Sequence, residues 1–193
     1  IIHFSTDYIF PGKSPEGYIE DDDTGPEGVY GASKLAGEKF LTSIYDKYFI
    51  FRISWLYGPH GKNFVHTMLN LFKEREELNV VNDQFGSPTY TGELADFIVR
   101  LVKSGPEQYG IYHFSGEGMT DWNEFASEIY RLAVKYRLTE KVVKIRPVDS
   151  SMYPQKAKRP AYSYMLKDKL YNTFRYRPKH WKETLEEYIK LIS

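Results

Sequence analysis

The sequence contains no cysteine among its 193 residues, which excludes disulfide bonds and thiolate metal ligands. It has no surplus of either charge, because 26 Lys and Arg residues balance 26 Asp and Glu residues. A chain of zero formal charge has no large field to attract nucleic acid or an anionic membrane. No apolar run approaches the roughly 18 residues that a membrane span requires. These absences predict a globular, cytoplasmic protein with a site for a small molecule or another protein.

The chain does have enough apolar residues for a core, since 41% of them are hydrophobic and 17% aromatic. Strand-like and helix-like runs alternate, which predicts an α/β fold with a parallel sheet. A smaller lobe is expected over the carboxyl edge of that sheet, where open α/β sheets bind ligands. The predicted strands span 1–5, 49–54, 78–81, 111–114 and 142–146, and the predicted helices span 29–48, 63–77, 92–103, 122–135 and 181–192. The side of the first helix expected to face the sheet carries Ala36, Phe40, Leu41 and Ile44.

Tyr30 and Lys34 form a Y-x-x-x-K pair, and on a helix this spacing places both side chains on one face. Alone, the pair favours an ordinary surface helix, because a sequence this rich in Tyr and Lys is expected to contain such a pair by chance. Its context is more specific, because Thr6 ends the first predicted strand 24 residues before Tyr30. Gly31 and Gly37 are each unfavourable inside a helix by roughly 1 kcal/mol, which indicates close packing against backbone or a cofactor.

These residues resemble the catalytic trio of the extended short-chain dehydrogenases/reductases: a Ser or Thr at a strand end, a Tyr about 24 residues later, and a Lys one helical turn further on. Within that superfamily the sequence resembles the dTDP-4-dehydrorhamnose reductases over nearly its whole length. The matching strings, in order, are S-T-D-Y-I-F from Ser5, Y-G-A-S-K-L-A-G-E from Tyr30, R-I-S-W-L-Y-G from Arg52, N-F-V-H-T-M-L from Asn63, D-Q-F-G-S-P-T from Asp83 and R-P-A-Y-S from Arg159.

A ketone reduction needs a hydride donor, a proton donor and a group that holds the carbonyl oxygen. The resemblance implies that NADPH or NADH supplies the hydride, that Tyr30 donates the proton, and that Thr6 holds the oxygen. A phenol ordinarily releases its proton only near pH ~10, so a neighbouring cation is needed to stabilise the phenolate. Lys34 is expected to be that cation and, with Tyr30, to contact the nicotinamide ribose. Asp7 and Tyr8 are expected to bind sugar hydroxyls.

Four further residues are candidates for binding the substrate. Trp55 directly follows a predicted strand, where its indole could lie against a hexose, although a place in the core is the alternative. Asn63, Gln84 and Arg159 are candidates for the nucleotide diphosphate, and a structural role is at least as well supported for each. Arg159 is favoured among the three because a guanidinium matches phosphate geometry.

The resemblance also implies a missing segment. In the family, the glycine-rich turn that holds the cofactor pyrophosphate lies about a hundred residues before the position of Thr6, outside this chain. The sequence begins at Ile1 in a strand-like run, without an initiating Met. We therefore expect residues 1–110 to be the remainder of a Rossmann-like domain interleaved with substrate-binding segments, and residues 111–193 to be mainly a substrate-binding lobe. The chain alone is expected to be inactive for lack of the cofactor-binding segment.

Metal and partner predictions are weaker. The five His residues show no ligand spacing, so no metal site is predicted from the pattern itself. Some members of the resembled family share Mg²⁺ across a homodimer interface, and Glu93 is the minor candidate for such a site. The expected substrate is a dTDP-4-keto-6-deoxyhexose.

Two alternatives stay open. One is another nucleotide-sugar dehydrogenase, epimerase or dehydratase, although their strand end resembles S-S-x-x-V-Y-G and Thr6-Asp7-Tyr8 differs from it. The other is a non-catalytic subunit like the regulatory subunit of methionine adenosyltransferase, which shares the Tyr and Lys motif. The regulatory proteins resemble R-x-P-x-L-Y-G where this chain has R-I-S-W-L-Y-G, so Trp55 favours an enzyme.

Overall fold

A computed structural model describes residues 1–152 and 159–193 of the chain. The helices are α1 (Val29–Ile44), α2 (Phe64–Glu74), α3 (Thr91–Ser104), α4 (Trp122–Lys135), α5 (Asp168–Phe174) and α6 (Trp181–Ile192). The strands are β1 (Ile2–Thr6), β2 (Phe49–Ile53), β3 (Leu56–Tyr57), β4 (Glu77–Val81), β5 (Phe85–Gly86), β6 (Thr89–Tyr90), β7 (Gly110–Phe114), β8 (Thr120–Asp121) and β9 (Lys144–Val148). Helix and strand alternate, which confirms the predicted α/β class.

The main sheet is parallel and has the strand order β1-β2-β7. Its central strand β2 is buried along nearly its whole length, as its almost unbroken apolar sequence predicts. Because the strands are parallel, their carboxyl ends at Thr6, Ile53 and Phe114 lie in register at one edge. This edge is where the sequence places its candidate chemistry.

Two large apolar clusters hold the chain together. In the first, α3 packs on β2 and β7 through Leu94, Phe97 and Leu101. Helical spacing predicts these three and Ile98 on one face, and Ile98 is only partly buried. In the second, α2, α4 and α6 surround a core that includes Phe125 and Trp181. Helix α4 begins where predicted, with the Asp121 carboxylate accepting a hydrogen bond from the amide of Glu124.

The predicted buried face of α1 is wrong. Phe40 and Ile44 on that face are 67% and 62% exposed, whereas Gly31 and Glu38 are the buried residues of this helix. Glu38 is buried because it forms an ion pair of 2.9 Å with Arg52 on β2. A buried charge pair thus orients the helix, and apolar spacing alone could not reveal it.

Other differences are at the ends of elements. Helix α1 ends at Ile44 and not near residue 48, and α2 ends at Glu74 and not at residue 77. Helix α5 and the two-residue strands have no sequence prediction, because such short elements carry too little periodicity. The boundary near residue 110 stays a prediction. Within the described residues, no helix has both the length and the apolar character that a membrane crossing requires.

Candidate active site

A cleft of about 450 Å³ opens at the carboxyl ends of β1 and β2. Seven of the predicted site residues line it: Thr6, Asp7, Tyr8, Tyr30, Lys34, Trp55 and Arg159. They come from the ends of two strands, from α1, and, for Arg159, from the segment before α5. The fold therefore gathers residues that lie as far as 153 positions apart in the sequence into one hollow.

Tyr30 and Lys34 lie on the first two turns of α1 at the rim of the cleft. The side chain of Tyr30 is accessible, with 58% of the residue exposed, and the Lys34 ammonium donates to the backbone carbonyl of Phe4 on β1. A β-carbon at Gly31 would lie 2.1 Å from the carbonyl oxygen of Tyr8. Only glycine allows α1 to approach the short 3-10 turn Asp7–Ile9 after β1 this closely, which confirms the expected close packing at Gly31. Gly37 has no such restriction, since its nearest neighbour would be 3.9 Å away.

Thr6 and Asp7 are buried and bonded to each other at the end of β1. The Thr6 hydroxyl donates to Asp7 Oδ1 over 2.9 Å and accepts from the amide of Tyr8. Burial raises the pKa of the Asp7 carboxyl to about 7, against the opposing effect of hydroxyl groups on Ser163 and Thr6. Whenever the Asp7 carboxyl is ionised, the Thr6 hydroxyl therefore donates its hydrogen bond to Asp7 and not to a ligand.

Tyr8 lies between this buried pair and the rim. Its ring meets the ring of Tyr30 edge-on, with centroids 6.0 Å apart. Burial, assisted by the Asp7 charge, raises the pKa of Tyr8 to about 12, and the Arg159 charge opposes the rise. Tyr8 thus presents a neutral hydroxyl that can donate or accept a hydrogen bond at neutral pH.

Trp55 forms part of the wall of the cleft. Its indole stacks on that of Trp122 with centroids 3.6 Å apart and planes within 9° of parallel. The Arg159 guanidinium lies 5.8 Å from the Trp122 ring. Trp55 also has a φ of 46°, a left-handed conformation that costs a side-chain-bearing residue about 1–2 kcal/mol. Such strain persists only where surrounding contacts compensate for it, and it clusters at functional sites.

Asn63 and Gln84 lie outside the residues that line the cleft. Asn63 caps α2, because its Oδ1 accepts from the amide of His66 and its Nδ2 donates to the carbonyl of Gly58. Gln84 is buried, and its Oε1 has no hydrogen-bond partner. Ligand contacts by these two residues stay predictions without support from the geometry.

Glu93 lies in a different hollow, away from the cleft. Its carboxylate accepts hydrogen bonds from the Tyr176 hydroxyl and from the amide of Lys179. Across residues 1–152 and 159–193, no group of three or more His, Cys, Asp or Glu side chains is arranged to hold a metal ion. The geometry therefore does not support the Mg²⁺ alternative.

Six residues that line the cleft are not among the predicted site residues, and three of these six carry a side-chain hydroxyl or an indole. Ser5 and Ser54 line it next to Thr6 and Trp55, and the Ser5 hydroxyl is buried without a hydrogen-bond partner. Trp122 is the third, and in the sequence it is simply the apolar first residue of a helix. One signal was available for the serines, since each adjoins a predicted site residue at a strand end. The sequence around Trp122 does not indicate that α4 begins next to the end of β2.

Comparisons with known proteins identify the family of this chain. The chain matches the family model described as "RmlD substrate binding domain" over residues 1–193. It is 42% identical to the dTDP-4-dehydrorhamnose reductase of Shigella flexneri over 177 residues, which cover 90% of this chain and 59% of that protein.

Two solved structures share the fold and much of the sequence. A dTDP-4-dehydrorhamnose reductase from Clostridium acetobutylicum superimposes with a TM-score of 0.92 at 41% identity, covering 100% of this chain and 65% of that one. The Bacillus anthracis enzyme, solved in complex with NADP, superimposes with a TM-score of 0.91 at 42% identity, covering 98% and 65%.

The chain thus spans 59% to 65% of the length of the curated relatives that it matches. The match to the family model nevertheless extends from its first residue to its last. The sequence strings, the parallel sheet and the cleft at its carboxyl edge all lie within that match. The chain belongs to the RmlD substrate binding domain family.

Proposed function

We propose that this chain forms the substrate-binding and catalytic part of an NAD(P)H-dependent dTDP-4-dehydrorhamnose reductase, which reduces the 4-keto group of dTDP-4-dehydro-L-rhamnose to give dTDP-L-rhamnose. The observation that carries the proposal is the cleft itself. Thr6, Tyr30 and Lys34 line it together with Trp55, at the edge of the sheet where α/β proteins bind ligands. The relatives with this name support the choice of substrate.

The described residues fit the nicotinamide end of a dinucleotide. Tyr30 and Lys34 offer a hydroxyl and an ammonium at the accessible rim of the cleft, which are suitable partners for ribose hydroxyls. Gly25, Gly28 and Gly31 have the spacing of a phosphate-binding turn, but Gly31 is packed under the Tyr8 carbonyl and cannot approach a ligand. We therefore assign the contacts with the nicotinamide ribose to Tyr30 and Lys34. We assign no contact with the cofactor pyrophosphate to this chain.

The proton step belongs to Tyr30. When bound, the reduced nicotinamide supplies a hydride to the carbonyl carbon, and the oxygen then gains a proton. The accessible Tyr30 hydroxyl donates that proton, and the Lys34 ammonium on the same helix face stabilises the phenolate left behind. The hydrogen bond from Lys34 to the Phe4 carbonyl fixes the ammonium beside β1, the strand that ends at Thr6.

Thr6 holds the carbonyl oxygen through a hydroxyl whose direction depends on Asp7. With Asp7 ionised, the Thr6 proton points to Oδ1. With Asp7 protonated, the carboxyl donates to Thr6 instead and frees the threonine proton for the substrate oxygen. A pKa of about 7 for Asp7 allows both states near neutral pH. Asp7 thus orients Thr6, while Tyr8 remains the candidate for sugar hydroxyls.

The other end of the cleft suits a nucleotide-linked hexose. Trp55 offers an apolar aromatic surface for a sugar ring, and the exposed Arg159 guanidinium offers paired donors for a diphosphate. Both line the same cleft as Thr6 and Tyr30, so one ligand can contact all four residues.

The experiment has two parts. Calorimetric titration of the chain with dTDP-L-rhamnose should show binding that UDP-glucose does not match. A fusion of the chain to the part of the Bacillus anthracis reductase that it does not cover should form dTDP-L-rhamnose from dTDP-4-dehydro-L-rhamnose and NADPH. A fusion that folds and binds both ligands but forms no product would overturn the proposal and favour a non-catalytic role.

A further inference from the structure

The D-Q-F-G-S-P-T string contains Gly86, which is not among the residues that line the cleft. Gly86 lies on β5, and a β-carbon there would come within 2.8 and 2.9 Å of Cε2 and Cζ2 of Trp55. Real side chains essentially never approach so closely, so any larger residue would displace the indole. The backbone at Gly86 is not in the left-handed region, since glycines with positive φ lie elsewhere. The position needs glycine for space and not for conformation.

The same segment pins the backbone around Trp55. The Ser54 hydroxyl donates to the carbonyl of Ser87 over 2.7 Å, and the amide of Thr89 donates to the carbonyl of Trp55 over 3.2 Å. Residues 54–55 are therefore bonded to residues 87–89, which follow Gly86 directly. The strained left-handed backbone of Trp55 is held in place by this pairing.

Strand pairing also places Trp122 against Trp55. Strand β5 pairs antiparallel with β8, so that Gly86 lies opposite Thr120 and Phe85 lies opposite Asp121. Trp122 is the next residue, and its indole covers one face of Trp55 at a centroid distance of 3.6 Å. One short pairing thus sets both the glycine and the tryptophan against the same indole.

We propose that Gly86 and Trp122 are positioning residues that fix the Trp55 indole in the orientation that contacts the hexose, and so set the affinity for the sugar part of the ligand. This inference rests on the proposed function for the identity of the ligand. Trp122 closes one face of Trp55, which leaves the remaining surface for the sugar. Gly86 sets how deeply the indole lies in the wall.

The test is a set of variants measured with two probes, dTDP-L-rhamnose and dTDP. Gly86→Ala should weaken binding of dTDP-L-rhamnose by up to about tenfold and change binding of dTDP by less than about twofold. Trp122→Leu should weaken binding of dTDP-L-rhamnose by a similar factor and binding of dTDP by less, the smaller loss arising because the Arg159 guanidinium lies 5.8 Å from the Trp122 ring. Trp122→Phe, which keeps an aromatic face against Trp55, should restore most of the affinity. Gly25→Ala is the matched control, because a β-carbon there meets only Pro11 at 3.5–3.8 Å.

A double-mutant cycle separates positioning from general damage. In a Trp55→Leu background, Gly86→Ala should have little further effect on binding, since the ring that it would displace is gone. Any loss that remains in this background measures the effect of the Ser163 hydroxyl, which would lie 2.7 Å from the new β-carbon. Additive losses in the cycle, or equal losses for dTDP and dTDP-L-rhamnose, would overturn the inference.

Circular dichroism gives a readout that needs no ligand. Two indoles stacked this closely should produce an exciton couplet in the far ultraviolet. Trp122→Phe and Trp55→Leu should each abolish it, and Gly86→Ala should reduce it without lowering the helix signal. An unchanged couplet in Gly86→Ala would overturn the inference even if the proposed function held. Conversely, loss of the couplet in a protein that binds no dTDP-sugar would support the positioning and reject the proposed ligand.

Discussion

Two hollows among the described residues have nearly equal volumes but differ in their chemistry. The cleft measures about 450 Å³, and the second hollow, between α3 and α6, measures about 460 Å³. In the cleft, strand ends supply a threonine and a carboxylate, and α1 adds an accessible tyrosine. In the second hollow the polar groups already bond to one another, as when Glu93 accepts from Tyr176 and Lys179 pairs with Glu187.

This comparison teaches that volume alone does not identify an active site. The cleft combines an accessible phenol at Tyr30, a buried carboxyl with a raised pKa at Asp7, and a strained aromatic wall at Trp55. The second hollow also holds a carboxyl with a pKa raised by burial, Glu93, but no residue that lines it has the strained left-handed backbone of Trp55. Substitutions should therefore affect the two hollows differently.

The largest contrast should be in stability. Glu38→Gln leaves the buried Arg52 guanidinium without its counter-charge and should lower the free energy of unfolding by about 3–5 kcal/mol. Glu187→Gln in the second hollow breaks an exposed ion pair and should cost at most about 1 kcal/mol. Urea denaturation of both variants measures the difference. Equal, small losses would show that the pair does not hold α1 in place.

The second contrast concerns turnover. Tyr30→Phe in the fusion protein should reduce kcat by at least about 100-fold, because it removes the proton donor, while dTDP-L-rhamnose still binds. Tyr176→Phe makes the same chemical change in the second hollow and should leave kcat within about twofold of wild type, since its hydroxyl only bonds to Glu93. Similar rates for the two variants would remove Tyr30 from the mechanism.

The third contrast is in the pH dependence of stability. Burial raises the Asp7 pKa from 3.8 to about 7, so the folded state holds more protons than the unfolded state between these values. Stability contributed by the protonated form is therefore lost as pH rises from about 4 through 7. Asp7→Asn should flatten this slope, because asparagine does not ionise. It should also raise the free energy of unfolding at pH 8 by roughly 2 kcal/mol, which is part of the cost of ionising the buried Asp7 carboxyl at 1.36 kcal/mol per pKa unit.

Glu93→Gln is the matched control for that experiment, because its carboxyl is less completely buried and accepts two hydrogen bonds. Its pH slope should change less than that of Asp7→Asn. Thermal denaturation at several pH values distinguishes the two. A slope for Asp7→Asn that matches wild type would show that the Asp7 carboxyl ionises in the fold at its ordinary pKa.

Much of this arrangement could be predicted from the sequence, for identifiable reasons. The parallel sheet follows from buried strand runs such as 49–53, and Tyr30 with Lys34 share a face because of helical spacing. The orientation of α1 could not be predicted, because it depends on the ion pair between Glu38 and Arg52 on β2. The roles of Trp122 and Gly86 could not be predicted either, because they arise only when β5 and β8 pair.

The most direct test of the whole account uses the indole signals of the three tryptophans. Trp55 and Trp122 line the cleft, whereas Trp181 is buried in the core among α4 and α6 and serves as an internal reference. In a ¹⁵N-correlated NMR titration with dTDP-L-rhamnose, the indole N–H signals of Trp55 and Trp122 should shift in a saturable way while that of Trp181 stays fixed. Saturable binding that leaves the Trp55 and Trp122 signals unmoved would contradict the assignment of this cleft as the sugar-nucleotide site.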